Sequence, residues 1–86
     1  MDDVSIRIDE IYLPAKRRGE IDPARVEALA ESILEEGLKV PISVRQDSGR
    51  KDGGRYVLVA GLQRLEAMKA LGEENITAIV VGSPQH

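Results

Sequence analysis

The stretch VAGLQRLEAMKALG, residues 59–72, joins a run of strand formers to a helical pattern through one glycine, Gly61. No other feature constrains the fold as tightly, because a strand must end where a helix begins and the helix must return over a sheet. Leu65, Met68 and Leu71 recur at helical spacing and face inward, and Gly72 supplies the helix stop.

The rest of the chain is read around this junction. VSIRID sets Val4, Ile6 and Ile8 against Ser5, Arg7 and Asp9, which predicts a strand from Val4 to Asp9. Ile11, Tyr12 and Leu13 make a short apolar step, Pro14 ends regularity, and AKRRGE is expected to be a basic loop. Asp22 is a good N-cap and Pro23 suits the first helical position, so DPARVEALAESILEEG predicts a helix that stops at Gly37. Its apolar stripe is Val26, Leu29, Ala30 and Ile33. Glu27, Glu31 and Glu35 lie opposite, and Arg25, Ala28 and Ser32 form a border expected to face a neighbouring element.

VPISVR and RYVLVA read as two strands joined by the turn-rich loop QDSGRKDGG, and ITAIVV reads as a final strand. This order predicts an α+β fold, a small mixed β-sheet covered by two helices. Residues 1–82 form one domain and residues 83–86 a tail, in which His86 has no role.

Composition removes several function classes. Without Phe or Trp, and with only Tyr12 and Tyr56, the core is aliphatic and there is no aromatic platform for stacking bases. The net charge of -3 gives no overall attraction to nucleic acid, so contact with DNA would need a local basic patch or another domain. The absence of cysteine excludes disulfides, thiol catalysis and cysteine metal sites. Asp2, Asp3, Asp47 and Asp52 lack metal-loop spacing, and no metal site is expected. No apolar run reaches membrane-spanning length and the N-terminus is acidic, so a cytoplasmic protein with no membrane partner is expected.

A strand that turns through glycine into a helix presents free backbone N–H groups at the positive end of the macrodipole. Arg64 adds a five-donor cation beside them, and Gly61 leaves out the Cβ that would hold a ligand off the backbone. The pair suits a nucleotide phosphate. The pattern is short, and a tight turn followed by a solvated arginine explains it as well. Arg25 and Ser32 would supply a second wall of such a cleft, or would serve only as a charge balance and a small helix contact. Lys16, Arg17 and Arg18 are candidates for contacting phosphates of DNA or nucleotide, although basic loop runs are commonly just solvated.

The segments DPARVEALAESILEEGLKVPISV, YVLVAGLQRLEAMKALG and NITAIVV, in this order and spacing, resemble the ParB/sulfiredoxin superfamily from Ile6 to Val81. The resemblance implies that the family's phosphate motif falls on Gly61, Leu62, Gln63 and Arg64. Arg25 and Ser32 would occupy nucleotide-contacting places on the first long helix, and Ala28 stands where sulfiredoxins carry a third such contact. Sulfiredoxins place a cysteine, and partition proteins a glutamate, where this chain has Leu62. Sulfiredoxin activity is thereby excluded and an enzyme is not the leading expectation. Gln63, in place of a cationic or imidazole side chain, can hydrogen-bond phosphate without adding charge.

The resemblance therefore implies a nucleotide-binding ParB-like N-terminal domain of a protein that partitions plasmid or chromosomal DNA or regulates transcription. Its ligand would be a nucleoside di- or triphosphate, CTP or ATP/ADP, with Mg2+. It would reach DNA through another domain or a partner and could form a homodimer. No helix-turn-helix segment is evident, so the chain would be an excised domain or a stand-alone relative. Two alternatives stand beside this: a small-molecule kinase of the free-serine type with Glu20 as base, and an interaction domain with a vestigial anion site. The label "nuclease", often given to such domains, finds no clustered acids or histidines in support.

Overall fold

The computed structural model describes residues 3–47 and 55–82. The predicted first strand is shorter than its alternation suggests. β1 covers Val4–Arg7, and the chain then tightens into a 3-10 turn at Ile8–Glu10. Two contacts drive the turn: the Ile8 N–H donates to the Glu74 carbonyl at 2.9 Å, and Arg7 forks onto Asp9 at 2.8 and 3.1 Å. Ile6 and Ile8 are buried as expected, whereas Val4, at the start of this edge strand, is exposed.

The apolar step at Ile11–Tyr12 is a two-residue strand, β2, and the expected basic loop begins as a short helix, α1, at Ala15–Arg18. Ala, Lys and Arg are good helix formers, and Pro14 needs no N–H donor where the helix starts. α2 runs from Pro23 to Glu36. Asp22 caps it by accepting from the Ala24 N–H at 3.1 Å, and Gly37 ends it with φ 82°. β3 (Ile42–Gln46), β4 (Tyr56–Ala60), α3 (Leu62–Ala70) and β5 (Asn75–Val80) complete the order. Residues 48–54 of the predicted hairpin loop and the predicted tail, 83–86, lie outside the described residues. The Asp47 N–H donates to the Arg55 carbonyl at 2.9 Å across the mouth of that loop.

The sheet is mixed, in the order β1-β5-β3-β4-β2. β1 with β5 and β3 with β4 are antiparallel; β3 with β5 and β2 with β4 are parallel. The β3–β4 register slips between Ser43 and Val44, at the end where β4 runs into Gly61. One face of the sheet offers Ile6, Ile42, Val44, Leu58, Ile76 and Ala78, and α3 packs its Leu62, Leu65 and Met68 onto them. Leu65 is wholly buried, which contributes about 1.5–3 kcal/mol relative to exposure. Leu71 is only half-buried.

The expected α+β arrangement of a small mixed sheet covered by helices is the one observed, with the two long helices in different layers. α3 lies on the sheet, while α2 packs against α3 as an outer layer and buries none of its residues fully. Its predicted stripe of Val26, Leu29, Ala30 and Ile33 is half-buried, and the border at Arg25, Ala28 and Ser32 is exposed. Among the described residues no helix is long and apolar enough to cross a membrane.

Candidate functional site

β4 enters α3 through Gly61, whose backbone has φ 101° and ψ 30°, in the left-handed region that favours glycine. A Cβ at this position would come within 2.7 Å of the Ile42 Cγ2 and 3.0 Å of its Cβ. The glycine is thus required by the turn and by the close passage of β3. The expectation that it clears space for a ligand is corrected, because the missing Cβ would point into Ile42.

Beyond Gly61 the Leu65 N–H makes the first intrahelical bond, to the Gly61 carbonyl at 2.9 Å. The N–H groups of Leu62, Gln63 and Arg64 therefore have no acceptor within the helix, and no side chain caps it. These residues border a pocket of about 250 Å³ walled by Gly61 and by Leu62, Gln63 and Arg64 of α3, Arg25 and Leu29 of α2, and Arg17 and Glu20 of the segment between β2 and α2. The site combines the positive end of a helix with three guanidinium groups.

The three arginines are not equivalent. Among the described residues Arg25 and Arg64 make no hydrogen bond or ion pair. Arg17 is fixed: its Nε donates to the Glu20 Oε1 at 2.9 Å and its Nη1 to the Val59 carbonyl at 3.2 Å. The sequence puts it in a basic loop beside Lys16 and Arg18, as a contact for phosphates of DNA or nucleotide; the structure places it in the pocket wall on a short helix. Lys16 and Arg18 are exposed on α1.

Gln63 holds the wall together. Its Oε1 accepts from the Asp22 N–H at 2.9 Å and its Nε2 donates to the Glu20 carbonyl at 3.0 Å. One side chain therefore ties the start of α3 to the segment that begins α2. Its oxygen and one of its two N–H donors are thus engaged, which leaves one N–H for the phosphate contact expected of it. Leu62 touches the pocket but is 5 % exposed and belongs to the core, so what it offers a ligand is its N–H. Ser32 lies outside the lining. It sits two turns, about 10 Å, beyond Arg25, whereas the pocket reaches only the first turns of α2. Glu20, the candidate base, is exposed and has one carboxylate oxygen engaged by Arg17.

Of the lining residues, Leu29 carries no sequence signal for a site, and Arg17 is singled out only within the basic run as a phosphate contact. The three-residue spacing of Arg17 and Glu20 would signal an ion pair once α1 is known to be helical. Leu29 was assigned to the apolar stripe, and the pocket uses the edge of that stripe. Among the described residues no group of three or more His, Cys, Asp or Glu side chains gathers where it could hold a metal ion.

The profile of the ParB N-terminal domain matches residues 2–86, and the chain belongs to that family. It is 40% identical over 76 residues to the probable chromosome-partitioning protein ParB of Campylobacter jejuni, a match that covers 87% of this chain and 26% of that protein. The chain thus spans about a quarter of the length of this relative. Sulfiredoxin from Arabidopsis thaliana superposes with a TM-score of 0.81 at 29% identity, over 96% of this chain and 88% of that one. The C-terminally truncated ParB from Caulobacter crescentus, complexed with CTP-γ-S, superposes with a TM-score of 0.78 at 26% identity, over 98% and 46%. The α+β architecture is that of the ParB/sulfiredoxin superfamily.

Proposed function

We propose that this domain binds the phosphate chain of a nucleotide at the start of α3, within a cytoplasmic protein that partitions DNA or regulates transcription. The observation that carries the reading is that Arg17, Arg25 and Arg64 line one pocket together with the residues that begin α3, which no side chain caps. The chain as a whole is negative, so this concentration of positive charge is local. The relative from Caulobacter, crystallised with CTP-γ-S, supports a nucleotide as ligand.

At about 250 Å³ the pocket falls short of the about 300–1,000 Å³ typical of small-molecule sites. It suits the phosphates and leaves base and sugar to surfaces beyond it. Arg64 and Arg25 are the free phosphate ligands, with the N–H groups of residues 62–64, and Arg17 contributes while still paired with Glu20. Gln63 acts by holding the pocket's second wall. Mg2+, if it accompanies the nucleotide, would be held chiefly by the phosphates.

Leu62 offers no acid, base or nucleophile, and Glu20 is tied to Arg17, so binding rather than phosphate transfer is the assigned role. DNA contact and pairing of two copies fall to surfaces other than this pocket, which the longer relatives have the chain to supply. The test is calorimetric titration with CTP, ATP, ADP and GTP, with and without Mg2+. Arg64→Ala should weaken the preferred nucleotide by about 1.5–3 kcal/mol, roughly tenfold to a hundredfold, and leave the fold intact. Equal affinity in variant and parent would refute the reading.

A further inference from the structure

We propose that Glu20 sets the strength and charge selectivity of the pocket by holding Arg17 against the wall and opposing the phosphates with its own carboxylate. The inference rests on the phosphate-binding reading of the site. Glu20 is the one carboxylate among the lining residues, and it lowers the side-chain charge of the pocket from +3 to +2.

An exposed ion pair three residues apart in sequence is ordinarily of little consequence, because its side chains wander. This pair is held from three sides. Arg17 is anchored a second time at the Val59 carbonyl, 42 residues away in sequence. The backbone of Glu20 is anchored through its own carbonyl to Gln63, and the neighbouring Asp22 N–H is anchored to the same side chain. With its partner and its own backbone so anchored, the carboxylate lies at the edge of the pocket on Arg17. Phosphate entering there must share Arg17 with it, and each further phosphate charge meets the same opposing charge. The consequence is a site tuned below its attainable affinity, most strongly for the most highly charged ligand.

The test is Glu20→Gln, which keeps the side-chain size and an oxygen acceptor for Arg17 while removing the charge. Affinities for CTP, CDP and CMP, and for ATP, ADP and AMP, are measured by calorimetry at low and moderate salt. Triphosphate binding should tighten by about threefold to tenfold, with a smaller gain for diphosphate, little for monophosphate, and a steeper loss with salt. Glu20→Ala should follow the same order, so that a change in the side-chain hydrogen bond is not mistaken for a change in charge. Unchanged affinity for every ligand, or an equal weakening of all of them as expected of a merely structural residue, overturns the proposal. If Arg64→Ala abolishes binding while Glu20→Gln gains nothing, this inference fails and the pocket assignment stands. No binding of CTP or ATP by the parent overturns both.

Discussion

Alanine at position 61 should damage the fold far more than the ligand site. In Gly61→Ala the alanine must keep the left-handed backbone at φ 101°, which costs about 1–2 kcal/mol. It also meets Ile42 at 2.7, 3.0 and 3.2 Å, the last distance being to the Cα. Ile42 is 1 % exposed and β3 is paired on both sides, so neither can move aside freely. Overpacking of this kind costs a further about 1–3 kcal/mol. The total, about 2–5 kcal/mol, is a large part of the about 5–15 kcal/mol that stabilises a typical domain. The melting temperature should fall by on the order of 10–30 °C.

Thermal and urea denaturation of the parent, the variant, Ile42→Ala and the double variant would measure this. The double variant should lose less than the sum of the singles, because removing Cγ2 relieves the clash and leaves only the backbone strain. Nucleotide affinity of the folded variant should stay near the parent's, since the Cβ points away from the pocket. A stability change within the about 0.5 kcal/mol of a neutral surface substitution would refute the reasoning. So would strict additivity with Ile42→Ala.

Three further outcomes are expected. Gln63→Ala removes two hydrogen bonds that span the chain, so it should cost about 1–2 kcal/mol and speed hydrogen exchange at the Asp22 amide, read by NMR. Asp22→Ala removes the cap of α2 and should cost about 1 kcal/mol in urea denaturation, with the loss confined to the outer layer. The hydrogen bond from Arg7, and then its charge, hold the Asp9 carboxyl below the ordinary aspartate range. Any stability from that pair is therefore present above that range and lost as pH falls through the lowered value. Arg7→Ala should raise the Asp9 titration midpoint in carboxyl-carbon NMR and barely change stability, because both side chains are exposed.

The elements with strong local signals were legible in the sequence. Asp22, Pro23 and Gly37 mark both ends of α2, and the spacing of Leu65 and Met68 declares α3. Short elements were not. β2 consists of two residues and is a strand only because β4 pairs with it, and α1 has no apolar periodicity from which to read a face. Sheet order also depends on pairing between distant segments. In the site, Gly61 and Arg64 stood out because a helix start needs them locally. The bonds from Gln63 to residues 20 and 22 cross more than 40 positions, and no local pattern encodes them. The helical wheel puts Ser32 on one edge of α2 with Arg25, but a wheel gives direction and not reach, and the pocket ends before that turn. The reason for Gly61 was also hidden, because its tightest neighbour, Ile42, arrives from another strand.

The central claim is that phosphate is received by the amides at the start of α3. Its most direct test is a ¹⁵N-correlated NMR titration of the parent with CTP and ATP, followed residue by residue. The largest shifts should fall on the N–H groups of Leu62, Gln63 and Arg64 and on the side-chain Nε signals of Arg17, Arg25 and Arg64, saturating together, with Ile8 to Ile11 unmoved. Saturable binding that leaves the amides of residues 62–64 unchanged and shifts another surface would contradict the account.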